Sequence, residues 1–369
     1  TESTSKECSA KRVLICGGGI IGVSTAYYLV QKGISPTIIE RNEIAGAASG
    51  KAGGFLALDW NDGSRIGPLA RLSFGLHEEL AQKLGDDCGY RRCDTLEVLA
   101  SEDGPVSQHQ GSGVPQWVNG RVSRTQVIGT TESTAQVHPY KLTHALLEEA
   151  KKGGLQVKHG AVEGIAFADG ATKNVTGVIV DGNIIEAEAV IIAMGPWSTN
   201  ARNWLPLPLI AAEKYHSILL KPQEELSAHA LFTSIRTLDG RRVAPEVYPR
   251  PDGEVYICGE GDSQVLPDDP CEIKVMQTQC DNLKNFGAAI SSTLEQAPVT
   301  KQQACYLPIS QDGLPLIGRV PGVEGAFVAA GHSCWGILNG PGTGLLMAEL
   351  VAGESTSLDI SAFDPARFI

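Results

Sequence analysis

Short apolar runs alternate with stretches of helical spacing along the first half of this chain. Residues 12–16 are the first run, and residues 20–30 place apolar side chains three and four apart. Gly33 offers a helix stop, and residues 37–40 read as a second buried strand. Strand, helix and strand in that order predict a βαβ unit. A second helix over 140–152 lines up Leu142, Ala145, Leu146 and Ala150, stops at Gly153-Gly154 and leads into a strand over 155–158. Short strands follow through 177–180, and the apolar run 189–193 is a buried strand stopped by Gly195-Pro196. Pro206 and Pro208 then mark a change of character.

From about 210 to 298 the pattern is strand-like. Residues 248–251 and 255–259 flank an Asp252-Gly253 turn and predict a hairpin. A helix over 273–294, with Val275, Cys280, Leu283, Phe286 and Ile290 at near-helical spacing, interrupts the strands. The chain closes with a strand over 326–330 and a helix over 342–352 that starts after Pro341, a residue suited to a first helical turn. At 369 residues this is more than one hydrophobic core usually serves, so two domains are expected.

Charge and cysteine usage narrow the partners. A formal net charge of -12 repels phosphate backbones and anionic membranes, and no run of Lys and Arg offsets it, so no nucleic acid is expected. The apolar runs fall far short of the roughly 20 residues that cross a bilayer, so no membrane span is expected either. The 9 cysteines are odd in number, scattered and never paired as C-x-x-C, which points away from a metal site and toward a reducing compartment. The expected location is intracellular, either cytoplasm or an organellar lumen, because a cleaved transit peptide would leave no trace. Oligomeric state has no signature here.

Chemistry enters at Gly17-x-Gly19-x-x-Gly22, directly between the first strand and the first helix. Gly17 permits the tight turn, Gly19 admits a pyrophosphate close to the backbone, and Gly22 lets helix and strand pack, while the helix N-terminus favours phosphate charge. Glu40 ends the second strand, where a carboxylate accepts hydrogen bonds from a ribose diol and repels a 2′-phosphate. Soon after comes a second loop of small residues, 46–54. A nicotinamide cofactor does not require it, whereas FAD gains amides and the Ser49 hydroxyl for its pyrophosphate.

Five ordered segments carry a resemblance over nearly the whole chain: CGGGIIG at 16–22, ASGKAGG at 48–54, AMGPWS at 193–198, PISQDGLPLIG at 308–318 and AAGHSCWGILNGPGTG at 329–344. The sequence resembles the D-amino acid oxidase, glycine oxidase and sarcosine oxidase superfamily. The resemblance implies an α/β protein with a Rossmann-type FAD-binding domain from 11–88, 136–204 and 305–369. Interleaved with it would be a mostly antiparallel β-sheet substrate domain from 89–135 and 205–304. FAD contacts implied at the amino-terminal end are Gly17, Gly19, Ile20, Ile21, Glu40, Arg41, Ala48, Ser49, Lys51, Ala52, Gly53 and Gly54. Those implied further along are Val162, Ala193, Gly195 and Trp197, then Gly331, His332, Trp335, Gly336, Ile337 and Leu338 against the flavin.

The resemblance implies oxidation of a small amine or amino acid derivative: hydride passes from the carbon beside a neutral nitrogen to flavin N5, and oxygen then becomes hydrogen peroxide. Amino acid oxidising relatives carry an arginine where this chain has Leu307, and glycine oxidase carries another where it has Cys334. Both bidentate partners for a substrate carboxylate are missing. Arg236, Arg241, Arg242 and Arg250 remain as substitutes without a pattern to assign them. Tyr248, Tyr306 and Trp335 are expected to line the substrate pocket. Cys305 aligns with the cysteine that bonds flavin covalently in monomeric sarcosine oxidase, Lys51 stands where it could assist oxygen, and a protonated His332 could stabilise reduced flavin. No catalytic residue is assigned. The alternative is an FAD-binding scaffold with little or no turnover, its absent arginines marking lost catalysis.

Overall fold

In the computed structural model, which describes residues 11–85, 88–107, 112–170 and 173–369, the βαβ unit is formed by β1 (Val13–Cys16), α1 (Ile20–Gln31) and β2 (Thr37–Glu40). Cys8 lies outside the described residues. Next come α2 (Gly67–Leu84), β3 (Asp94–Ser101), β4 (Val122–Gly129), α3 (Pro139–Lys152), β5 (Gln156–His159) and β6 (Ala189–Ile192). The second half holds β7 (Ile210–Leu220), β8 (His229–Arg236), β9 (Glu246–Pro249), β10 (Val255–Asp262), α4 (Gln277–Ile290) and β11 (Val299–Ser310). It ends with β12 (Leu316–Arg319), β13 (Ala326–Ala330) and α5 (Gly336–Ala352).

Two large sheets organise these elements. The first is six-stranded in the order β12-β13-β6-β1-β2-β5, parallel except for β12 against β13. Its central strands β1 and β6 are buried at every position, which is why they read as unbroken apolar runs rather than alternations. The second is eight-stranded, with a main path β11-β7-β10-β9-β8-β3-β4, and is antiparallel except where β8 lies along β3. Successive side chains of its strands face opposite ways. Ile218, Val247 and Ile257 pack on Leu283, Phe286 and Ile290 of α4, whereas Leu219, Tyr248 and Tyr256 turn toward Phe55 and Ala57.

Three sequence expectations change. First, β11 runs through position 305 without a break, so the chain leaves the second sheet only after Ser310. Second, the helix expected over 273–294 is shorter. It is α4, followed by a separate turn Ser292–Gln296, because Ser291 is extended and its hydroxyl accepts the Leu294 N–H at 3.3 Å.

Third, α5 starts at Gly336, so Pro341 lies inside it. A proline has no N–H for the carbonyl four residues earlier, which leaves the Ile337 oxygen without its helical donor. His77 of α2 supplies the replacement, its Nε2 standing 2.9 Å from the Ile337 oxygen and 3.1 Å from that of Leu338. Carbonyls only accept, so Nε2 carries the proton. Burial holds this imidazole neutral, its pKa lowered to about 4. His77→Ala is therefore expected to destabilise the protein by about 1–3 kcal/mol through the orphaned carbonyls, in addition to the cavity. Denaturant unfolding measures this, and an unchanged midpoint would remove His77 from the account.

Candidate active site

The glycine turn between β1 and α1 is closed around its neighbours. Gly17 has φ +110, and a Cβ there would stand 2.3 Å from the Ala193 carbonyl oxygen; one on Gly22 would stand 2.0 Å from the Gly17 oxygen. Only glycine fits at either place. Glu40 is fixed at the end of β2 by two amides: Gly18 N–H donates to Oε2 at 2.7 Å and Asn42 N–H to Oε1 at 3.0 Å. Each carboxylate oxygen retains a further lone pair. The Ser49 hydroxyl accepts the Ile20 N–H at 2.9 Å, which fastens the second loop to the first turn of α1 and gives the Ile20 amide a partner within the protein.

A cleft of about 500 Å³ opens over this turn. Gly17, Gly19, Glu40, Arg41, Ala48 and Ser49 line its near side, and Lys51, Val162, Ala193, Gly195 and Trp197 continue it. Ile20, Ile21, Ala52, Gly53 and Gly54 stand outside that lining. Gly53 presses on the substrate-side sheet instead, where a Cβ would come within 2.4 Å of Tyr248 Cε2, and Gly54 has φ +89 against the Val137 carbonyl.

The far wall was not legible as such from sequence. It is the connection 263–276 between β10 and α4, of which Asp268, Pro270, Cys271 and Ile273 face the cleft. Trp197 Nε1 donates to the Pro267 oxygen at 2.7 Å, Arg41 Nη1 to the Asp268 oxygen at 2.7 Å, and Asn42 Nδ2 to Asp269 Oδ1 at 2.9 Å. Arg41 and Trp197, expected as cofactor contacts, thus direct these donors to this strap. Tyr306, expected to line the substrate pocket, belongs to the strap too, with its hydroxyl donating to the Val265 oxygen at 2.8 Å. It pairs with Lys214 while Cys305 and Gln303 pair with Tyr215 and Ser217, so strand alternation puts Tyr306 on the face away from Gln303 and Cys305. The signal for the strap is Pro267-Asp268-Asp269-Pro270, a turn-forming string.

The opposite face of that sheet forms an aromatic chamber. Tyr248 stacks on Phe55 (5.8 Å between centroids, 9° between planes) and on Tyr256 (6.0 Å, 3°), while Phe232 and Trp60 close on Phe55 at 4.8 and 4.9 Å. Trp335 packs against the same cluster. The preceding turn has tight geometry, with Gly331 at φ +81 and Ser333 at φ +53. His332 Nε2 lies 2.9 Å from the Thr343 hydroxyl, and burial lowers its pKa to about 3, so it is neutral and cannot supply the cationic stabilisation expected of it. Gly336, Ile337 and Leu338 form the first turn of α5.

The pattern of a family of FAD-dependent oxidoreductases, named DAO, matches residues 12–350. The chain belongs to the DAO family. It is an FAD-dependent oxidoreductase. A Schizosaccharomyces pombe protein with an oxidoreductase name is 36% identical over 97% of this chain and 98% of its own. The glycine oxidase of Geobacillus kaustophilus is 28% identical over 97% of each chain. The crystal structure of glycine oxidase from that organism superposes with a TM-score of 0.80 at 24% identity, covering 97% of this chain and 100% of that one, which shows the fold. Among the described residues no helix is long and apolar enough to cross a membrane, and no cluster of His, Cys, Asp and Glu could hold a metal ion.

The residues present fit the DAO cofactor. The glycine turn excludes side chains where a pyrophosphate would pass, and Glu40 keeps acceptors that would serve a ribose diol. The arginines named as substitutes are engaged elsewhere. Arg236 pairs with Asp103 and Arg241 with Asp239 at the surface, and Arg242 donates to the Ser234 hydroxyl. Arg250 is 4% exposed, lies over the Tyr256 ring and donates to the Ala52 oxygen at 3.0 Å. Burial pushes the Cys305 thiol up to about 11, so it stays protonated and a poor nucleophile at neutral pH.

Two outcomes follow from this geometry. Glu40→Ala removes the acceptor for both the loop amides and a ribose, and is expected to weaken FAD retention by about tenfold or more; flavin content after gel filtration reads this directly. Acid precipitation of the wild-type protein is expected to leave all flavin in the supernatant. Colour in the washed pellet would show a covalent bond and contradict the thiol's protonated state.

Proposed function

We propose that this protein oxidises a small amine at the carbon beside nitrogen, using FAD held from the glycine turn to the aromatic chamber. The observation that carries the reading is the loop 48–54. At one end Ser49 accepts from the first turn of α1, and at the other Gly53 rests on Tyr248 and Tyr256. A dinucleotide following this loop extends from Glu40 to the aromatic face. When bound, FAD would supply the acceptor for the hydride, which carries both electrons.

The chain's own residues bind, orient and exclude water. Phe55, Trp60, Tyr248 and Trp335 form apolar walls that hold a substrate substituent and keep the nascent imine dry until release. The start of α5 directs its positive dipole end toward the His332–Trp335 turn, which favours negative charge developing there. Oxygen is the acceptor that completes the cycle, giving hydrogen peroxide, and the imine hydrolyses in solution. Relatives in the family include glycine oxidase and a 4-methylaminobutanoate oxidase of Paenarthrobacter nicotinovorans, 25% identical over 97% of this chain and 45% of that protein.

Anaerobic mixing of the purified holoprotein with secondary amines, N-methyl amino acids and D-amino acids tests the reading. At least one amine is expected to bleach the yellow flavin, with peroxide appearing on admission of air. An unbleached flavin across the whole panel would leave a scaffold role and end this proposal.

A further inference from the structure

Glu246 brings a carboxylate to the aromatic chamber, held there by the hydroxyl of Tyr248. Glu246 lies on β9, paired with Phe232 of β8 and Cys258 of β10 and one alternation from Tyr248. Its Oε2 accepts the Tyr248 hydroxyl and, at 3.8 Å, the Cys258 thiol. Among the described residues Glu246 takes part in no ion pair with Lys, Arg or His, whereas Asp262 at the end of β10 pairs with Lys214. The residue is not sealed: Glu246, Cys258, Phe232, Trp60 and Trp335 are all partly exposed. Burial raises the Cys334 thiol pKa, and the nearby Glu246 charge raises it further, which puts the carboxylate beside the turn that leads into α5.

We infer that Glu246 is the specificity-determining anchor of the substrate site, and that it selects a cationic amine bearing no carboxylate. This deepens the reading of the protein as an amine oxidase and rests on it. An ammonium entering the chamber donates to the free acceptor capacity of Glu246 and passes one proton to it, so that hydride then leaves from the carbon beside a neutral nitrogen. Tyr248, stacked between Phe55 and Tyr256, holds the carboxylate through its hydroxyl. For a substrate carboxylate the same charge repels, with Leu307 and Cys334 in place of arginines and Arg250 sealed behind Tyr256. A charge left among aromatic groups is costly without a partner, and a ligand cation is the partner this arrangement lacks. Burial raises the Glu246 pKa, in keeping with a carboxylate that awaits a counter-charge.

Three probes of one shape decide the matter on the holoprotein: tert-butylamine, pivalate and tert-butanol. None carries hydrogen on the carbon bearing its polar group, so binding is read without turnover, from the perturbed flavin spectrum and from the thermal midpoint. Tert-butylamine is expected to bind at least about tenfold tighter than either of the others, and Glu246→Gln to lose most of that preference while retaining FAD. Equal or tighter binding of pivalate or tert-butanol, no binding of the amine, or an unaltered preference in E246Q each overturns the inference. Should E246Q fail to fold, the wild-type ranking decides alone. Amine preference without bleaching by any oxidisable amine would instead sink the proposed reaction and leave Glu246 as a cation site.

Discussion

The contact between α1 and α5, helices from opposite ends of the chain, is the constraint on which the site depends. A Cβ on Gly344 would stand 2.5 Å from the Ser24 carbonyl carbon, one on Gly340 2.7 Å from Ile20 Cγ1, and one on Gly342 2.2 Å from Ser73 Oγ of α2. These approaches hold only with hydrogen in place of a side chain. The composition that allows them disfavours the helix itself. Three interior glycines and one proline cost on the order of 6 kcal/mol in intrinsic propensity. Packing on α1 and α2 and the His77 hydrogen bonds offset that cost, so α5 is a product of tertiary structure.

Because α1 and α5 are locked together, the glycine turn before one and the His332 turn before the other belong to a single body. The loop 48–54 continues that body to the second sheet, through Ser49 at one end and Gly53 at the other. Lys51 reinforces the joint, its Nζ donating to the Ala304 oxygen at 3.2 Å while its own carbonyl accepts from Gln303 Nε2 at 3.2 Å. Burial lowers the pKa of this lysine, which stands at the cleft wall. Cleft and chamber are thus connected by short backbone contacts and not by a flexible linker.

What the sequence made legible is what local chemistry decides. The turn at Gly17, the burial of β1 and the acid at the end of β2 all follow from residues within about 25 positions of one another, and each takes its expected place. The start of α5 was misplaced because local rules put Pro341 in a first turn, whereas the group that rescues an interior proline is His77, far away in the chain. Tyr306 was assigned to the wrong face for a related reason. An aromatic residue in a strand has two directions open to it, and only the register of β11 against β7 chooses between them. The strap 263–276 escaped because its anchors Asn42, Trp197 and Tyr306 come from three separate segments.

The electrostatics of the chamber follow from this packing. His332 and His77 are both neutral by burial, with pKa values lowered to about 3 and about 4, so neither imidazole brings charge to the carboxy-terminal turn. Leu307 and Cys334 bring none either. The remaining positive field there is the dipole at the start of α5, about half an elementary charge, spread over amides that cannot move. A field of that kind does not titrate near neutral pH and needs no reorganisation when charge develops, whereas a protonated histidine would do the first and a solvated lysine would need the second. It also leaves the turn without a fixed side-chain cation, the condition on which the role inferred for Glu246 rests. Exclusion of side-chain cations from that turn is a consequence of the close-packed helix pair, because the residues that reach it are glycines, apolar groups and an imidazole held neutral by burial.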